Sequence, residues 1–410
     1  MTGKVTSSYI SKLREIRYLE KVVIVAAKRT AIGKYLGQFK DVSAVELGVA
    51  CLKGLLSEVN GAAEQVQQVL LGNVYSAGLG QNPARQVAIL SGLQNSVTAT
   101  TINDVCGSSL KALHFGQQAL QLGEVQAVVV GGIESMSNTP LLLQRPAKKQ
   151  PIDREGELKD SLFNDGLTDA LTGEGMGVQV ERIAQQEGIT RQQQDEFALK
   201  SQQKAAQASA NQAFAPEIVP VVVNGVEVVK DEAIRPNTTL AGLAGLKPAF
   251  AADGTITAGN ASPLNDGASM VLLATEEFAK QQQWPILAYV KEFAEVGTSS
   301  ELFGITPIAA VQQVLANAQL TMGQIDVVEL NEAFAAQALI VQQTLQIPEE
   351  KLNPFGGATA LGHPLAATGT RMVTTLLNIM QQQQLNNGIA TLCIGGGQGI
   401  ALRLSREGLA

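Results

Sequence analysis

Only three cysteines, Cys51, Cys106 and Cys393, occur in 410 residues, and no two share a short CxxC spacing. That scarcity excludes a disulfide framework and a zinc knuckle and fits a reducing compartment, so a cytoplasmic location is expected. Two histidines, His114 and His363, add nothing that reads as a metal-ligand set, so no metal is expected. Charge is sparse at 16% of residues, and the formal net charge is −7. A chain of that kind lacks the basic face a nucleic-acid partner requires. No apolar run reaches the roughly eighteen residues of a membrane span. Residues 1–20 lack the apolar stretch of a secretory signal, although Lys4, Lys12, Arg14 and Arg17 lie among them. They read as a frayed N-terminal extension, with a targeting presequence as the alternative. There is no Walker A pattern.

What is present is a chain 45% hydrophobic, long enough for one large unit or several packed subdomains. Folded structure should begin at the apolar run from Lys21 to Ala26. Helix-like and strand-like segments then alternate. Helices are expected over Val45–Leu56, Pro83–Leu90 and Cys106–Leu122, and strands at Val69–Leu71 and Ala127–Val130, the latter ending in a turn at Gly131-Gly132. From about residue 138 to 258 the texture changes to charge clusters, Pro and Gly breaks and a polar helix opened by the capping box Thr190–Gln193. This stretch reads as an insertion over the site. Alternation returns at Ala268–Leu273, then Pro307–Leu320 (helix), Val327–Leu330 (strand), Asn331–Gln343 and Pro364–Met380 (helices), and Thr391–Ile394. The pattern predicts α/β layering with a mostly parallel sheet. A strand followed by paired glycines occurs at Val129–Gly132 and again at Cys393–Gly396, which points to two related halves.

Cys106 stands before Gly107-Ser108-Ser109 at the expected start of a helix. Free amides there favour an anion, so a nucleophilic thiol with a lowered pKa is one reading and a buried structural cysteine the other. His363, between Gly362 and Pro364, sits at a helix mouth and is either a base or a capping group. His114 lies about 12 Å along the same helix from Cys106, too far to serve it. Cys51, inside an apolar helix, reads as core. The run Gly395–Gly399 leads into Ile400–Leu404, which reads as a strand, so it is a turn with exposed amides and not a dinucleotide loop.

Taken together, Gly80–Gln86, Val105–Ser108, Gly131–Ser137, Thr257–Ser262, Asn331–Phe334, Gly362–Pro364 and Cys393–Gly397 closely resemble a thiolase of the biosynthetic acetyl-CoA acetyltransferase type. The resemblance runs from about Lys21 to Leu404. It implies two pseudo-repeated α/β halves in a layered αβαβα arrangement, over 21–280 and 285–410, with a loop domain at about 138–258. It implies that Cys106 carries the acetyl group, that His363 takes the Cys106 proton and later helps bind the thioester oxygen, and that Cys393 removes the α-proton of a second acetyl-CoA. Asn331 would hold a water that acts with His363 on the enolate oxygen, and the amides of Cys106 and Gly395 would form a second oxyanion site. The coenzyme A contacts implied are Leu167, Met176, Arg235, Ala258 and Ser262, with Phe250, Ala333 and Phe334 walling the tunnel. Acetyl-CoA, acetoacetyl-CoA and CoA are the implied partners, no separate cofactor is needed, and a homodimer or homotetramer is expected, with Thr98–Ile102 a candidate interface strand.

Claisen condensation needs a covalent acyl donor, a base for a carbon acid and donors aimed at developing oxyanions, and these residue types supply all three. Four positions depart from the biosynthetic pattern: Gly175 replaces a histidine before Met-Gly, Pro263 and Ala366 replace glycines, and Thr359 an aliphatic residue. They bear on acyl length and affinity. A degradative 3-ketoacyl-CoA thiolase of broader chain length is the near alternative, and a non-catalytic acyl-CoA-binding protein the distant one. A decarboxylating ketoacyl synthase would not need Cys393.

Overall fold

The computed structural model describes residues 20–145 and 157–409. The expected N-terminal extension, residues 1–20, therefore falls almost wholly outside the described residues. Strand β1 (Val22–Thr30) leads to helix α1 (Ala44–Ser57), whose Ser43 and Glu46 form a reciprocal capping box. Then come β2 (Gln68–Gly72), α2 (Pro83–Leu90), β3 (Thr98–Ile102), α3 (Ser108–Gln121) and β4 (Ala127–Ser135). The middle of the chain carries α4 (Met176–Gln186) and α5 (Arg191–Ala210), the latter capped by Thr190 and Gln193 as the sequence predicts. Strand β5 (Asn265–Thr275) closes the first set. The second set is β6 (Ala288–Gly297), α6 (Thr306–Ala318), β7 (Val327–Leu330), α7 (Ala335–Leu345), α8 (Thr368–Gln382), β8 (Asn387–Ile394) and β9 (Gln398–Ser405).

The strands are mixed and not mostly parallel. In the first set the order is β1-β5-β4-β2-β3, with β1–β5 and β5–β4 antiparallel and β4–β2 and β2–β3 parallel. In the second it is β6-β9-β8-β7, with the first two pairings antiparallel and the last parallel. The two orders are the same apart from the extra edge strand β3. They meet where β1 pairs antiparallel with β6 at Val23–Tyr289 and Ile24–Ala288. Alternation of helix and strand predicts parallel crossovers, but β5 and β9 each return antiparallel beside the strand before them. Periodicity carries no record of that choice.

Helices α3 and α8 cross in the middle of the molecule. Gly369 lies against the Leu110 backbone, where a Cβ would sit 2.7 Å from its nitrogen, and Ser109 Oγ accepts from Thr370 N at 3.0 Å. Residues 368–380 of α8 are buried on every face, as a helix covered on all sides requires. Strand β4 is buried along its whole length because helices cover both of its faces. Gly131-Gly132 is not a turn. The strand runs through it, because a Cβ on Gly132 would overlap the Ala366 carbonyl and only a residue without one lets the chains approach. Two helix boundaries also move. Asn331–Phe334 is a loop, so α7 begins at Ala335, and Pro364 opens a short 3₁₀ turn (Leu365–Ala367) before α8.

Candidate active site

Cys106 is not the first residue of a helix. Gly107 caps α3, and Cys106 sits in the tight turn before it. Val105 is held at φ 46, a left-handed conformation that costs a β-branched residue of order 1–3 kcal/mol. Asn103 Oδ1 accepts from Val105 N at 3.0 Å, and Ser108 Oγ both accepts from Asp104 N and donates to Val105 O. Gly107 has no room for a side chain, because Ile394 at the end of β8 occupies the space. This strained turn delivers the thiol beside the end of β8, among side chains that follow β2 and β4.

His363 meets it there. The imidazole Nε2 lies 3.3 Å from Cys106 Sγ and 3.3 Å from Asn331 Nδ2. Its tautomer follows from hydrogen-bond accounting. Thr368 Oγ1 donates its one proton to the Pro364 carbonyl at 2.9 Å, so at 2.6 Å it accepts from Nδ1–H. Nε2 is thereby left bare, facing the thiol as an acceptor. The ring's backbone is fixed as well: Asn265 Oδ1 accepts from His363 N at 2.9 Å while Asn265 Nδ2 donates to Gly33 O. Asn331 Oδ1 is buried without a hydrogen-bond partner among the described residues, so it can accept from a water or ligand group.

Electrostatics differ from the expectation of an activated thiolate. Burial pushes the Cys106 thiol up to about 12, although the N–H groups of Gly395 and Cys106 itself pull the other way. Burial, reinforced by the Arg371 charge, lowers His363 to about 3. Cys393, buried at the end of β8, is also pushed up, first by burial and then by the proximity of Cys106. The helix dipole loses to desolvation because the thiol sits outside the first turn and among apolar groups. The resting site therefore holds two neutral thiols and a neutral imidazole.

The expected binding residues divide. Leu167 packs with Cys106 against the buried group Val74, Tyr75, Met136, Leu162, Leu365 and Ala366. Met176, first residue of α4, places its sulfur 3.3 Å from where a Cβ of Gly395 would be. Ala333 and Phe334 share a buried cluster with Cys393, and Ser262 Oγ donates to Ala333 O at 3.1 Å. Phe250 is 41% exposed and meets Phe334 edge-on at 5.8 Å. Ala258 and Arg235 are exposed, and Arg235 is anchored by its backbone N–H, which donates to Gln202 Oε1 at 2.7 Å. His114 stacks on Phe293 at 3.7 Å and takes no part.

Sequence reasoning missed Thr368, Asn265, Tyr75 and Glu134. Glu134 lay inside a motif that carried the resemblance, but nothing in one sequence says which strand face it occupies. Among the described residues no group of three or more metal-ligating side chains converges, and no helix is long and apolar enough to cross a membrane.

Comparison with known proteins adds what the chain as a whole resembles. Two family models match, "Thiolase, N-terminal domain" over residues 22–277 and "Thiolase, C-terminal domain" over residues 284–406. An acetyl-CoA acetyltransferase of Pseudomonas aeruginosa is 46% identical over 396 residues, covering 95% of this chain and 100% of that protein. One of Chromobacterium violaceum is 46% identical over 397 residues, covering 94% and 100%. A crystal structure of the Bacillus anthracis acetyl-CoA acetyltransferase superposes with a TM-score of 0.90 at 37% identity, covering 94% of this chain and 99% of that one.

Proposed function

The chain belongs to the thiolase family of acyltransferases, and on that premise we propose that it condenses two acetyl-CoA to acetoacetyl-CoA and CoA, and runs the reverse thiolysis, through an acetyl-Cys106 thioester. The observation that carries this reading is the bare Nε2 of His363 held 3.3 Å from Cys106 Sγ.

The proton ledger follows from the neutral resting state. Cys106 Sγ attacks the thioester carbonyl as its proton passes to His363 Nε2, making an imidazolium. The amides of Cys106 and Gly395 meet the oxyanion. A thiol as weakly acidic as Cys393 is no base, so it must first lose a proton, and the departing CoA thiolate is the acceptor. That leaves a Cys393 thiolate beside the His363 imidazolium, an ion pair that stabilises both. The thiolate then removes the α-proton of the second acetyl-CoA, while His363 Nε2–H and a water on Asn331 hold the enolate oxygen. The carbanion attacks the acetyl carbon, the C–S bond to Cys106 breaks, and the sulfur recovers its proton from His363. Acetyl-CoA, acetoacetyl-CoA and CoA are the partners, and no further cofactor enters.

Around this chemistry we read two halves, 21–280 and 285–410, with the segment 138–258 bringing Leu167, Met176 and the exposed Arg235, Phe250 and Ala258 over the coenzyme A path. A cytoplasmic homodimer or homotetramer, paired through the edge strand β3, completes the proposal, and light scattering at the mass of the 43.1 kDa monomer would sink it.

One observation favours a broader acyl range. Gly175 is glycine without steric need: its φ is −66, and a Cβ there would meet nothing nearer than Leu167 O at 4.0 Å. Space is thus left between Leu167 and Met176. Steady-state thiolysis of acetoacetyl-CoA against longer 3-ketoacyl-CoA esters decides between the readings. A kcat/KM that rises with chain length would replace the acetoacetyl assignment with the degradative one.

A further inference from the structure

Glu134 is a fully buried carboxylate with no part in the chemistry above. It lies on β4 and accepts four hydrogen bonds from two loops. Asn73 Nδ2 at 3.0 Å, Val74 N at 3.2 Å and Tyr75 N at 3.2 Å come from the loop after β2. Ala366 N, at 3.0 Å, comes from the loop that begins at His363. Among the described residues no cation is a hydrogen-bond partner of it.

Each loop leads to the site. Tyr75 donates its hydroxyl to Leu162 O, packs under Gly166, and belongs to the cluster that contains Cys106 and Leu167. The His363 loop is pressed onto β4 at Gly132, two residues from Glu134, where no Cβ would fit. A carboxylate is the one side chain whose two oxygens can take four N–H donors at once. Glutamine offers a single acceptor oxygen, and a protonated carboxyl turns an acceptor into a donor facing another donor.

The strand register adds an independent observation. Gly72 pairs with Gly132 and Leu330 with Thr391, so Asn73 and Asn331 follow β2 and β7 at the same place in the two sets. Two residues beyond the paired Gly132 and Thr391 stand Glu134 and Cys393. The antiparallel neighbours agree, since Glu134 faces Gly267 and Cys393 faces Gly399. Glu134 thus occupies, in the first half, the position that carries the second thiol in the other.

We propose that Glu134 is a positioning residue of the active site: its ionised carboxylate ties the His363 loop to the Tyr75 wall of the acyl pocket, and protonation slackens both. This rests on reading His363 as the base. Burial pushes the Glu134 carboxyl up to about 7, against the three backbone N–H groups that lower it. The titratable groups facing it are Asp266 on β5, whose charge raises it further, and the Tyr75 and Cys106 groups, which its own charge raises. Burial also pushes Asp266 up to about 6, so a variant is needed to separate the two carboxyls.

Two measurements test the proposal. In steady-state thiolysis of acetoacetyl-CoA from about pH 6 to about pH 9, the wild type should lose kcat below about pH 7. Glu134→Gln should lose on the order of 10²-fold in kcat at alkaline pH, the cost of a small misplacement, and should lose the acid limb. A Glu134→Gln enzyme with wild-type kcat and an unchanged acid limb overturns the assignment. Amide hydrogen exchange on the wild type needs neither a folded variant nor activity. After correction for intrinsic chemistry, Ala366, Val74 and Tyr75 should be less protected at about pH 6 than at about pH 8. Equal protection overturns the proposal even if Glu134→Gln fails to fold. A wild type with no thiolysis activity would instead sink the function proposed above, leaving the exchange result to stand on its own.

Discussion

Strands β4 and β8 are the same element in two copies of one strand order, and they do opposite things at their ends. Each lies between an antiparallel return strand and a shorter parallel one. Strand β4 continues through Gly131-Gly132 to Ser135 and ends in a buried carboxylate that gathers loops. Strand β8 stops at Ile394, just after a thiol, and turns back through Gly396 and Gly397, both at φ 87. Glycine is used for close approach in one case and for a left-handed turn in the other. The early turn presents the Cys393 sulfur and the Gly395 amide to the site. Without such a turn, β4 can only buttress. Divergence of the halves is therefore a matter of where the strand is allowed to end.

Removing the thiols should sharpen that contrast most. Cys106→Ala leaves no nucleophile, and loss of a nucleophile that acts with its base costs on the order of 10⁶ in turnover. Intact-mass measurement should find no acetyl on it after incubation with acetyl-CoA. Cys393→Ala keeps Cys106, His363 and both amide donors, so it should take up one acetyl group while condensation falls by about 10²–10⁴. An acetylated Cys106→Ala protein, or a Cys393→Ala protein that condenses normally, breaks the division of labour.

The glycines come next. Gly132→Ala puts a methyl onto the Ala366 carbonyl, so the backbone carrying His363 must move. A loss of about 10²-fold in kcat is expected from that displacement. Gly396→Ala meets no atom within 4 Å and suffers only the strain of φ 87, so it should cost about 1 kcal/mol of stability and much less activity. Steady-state kinetics and thermal melts on the pair check this, and a reversed ranking would mean that the two glycine roles have been exchanged.

Much of this was legible beforehand, for physical reasons that can be named. Capping boxes at Ser43 and Thr190 and the proline at Pro83 mark helix starts locally, and the observed helices begin there or within a residue of it. Thiol, imidazole and glycine-rich turns mark chemistry because few other environments tolerate them, and Cys106, His363 and Asn331 do converge. Direction of strand pairing was not legible, because β5 and β9 have the apolar runs of any doubly covered strand. Nor was the ionisation of Cys106, where burial outweighs a helix terminus that local sequence does show. Glu134 acts through Ala366, far away in the chain, and Thr368 acts through the ring of His363 five residues before it, and one sequence does not reveal which groups they meet.

The smallest expected effect is the most discriminating, because it asks the two halves to pull against each other. His363 is depressed to about 3 from its ordinary 6.5, so its contribution to stability is present above about pH 6.5 and lost as pH falls toward 3. Glu134 is raised from 4.5 to about 7, so its contribution is present below about pH 4.5 and lost as pH rises through 7. The acid loss of activity expected for Glu134 is thus a slackening of two loops and not an unfolding, since this group favours the folded state more as pH falls. Thermal melts should show it. Relative to wild type, Glu134→Gln should gain in Tm from about pH 5 to about pH 8, and His363→Gln should gain from about pH 7 to about pH 4. Each shift should be of order a few degrees. Differences that move in the same direction would mean that one of these groups ionises in a setting unlike the one described, and that β4 and the His363 loop are not balanced as opposite partners.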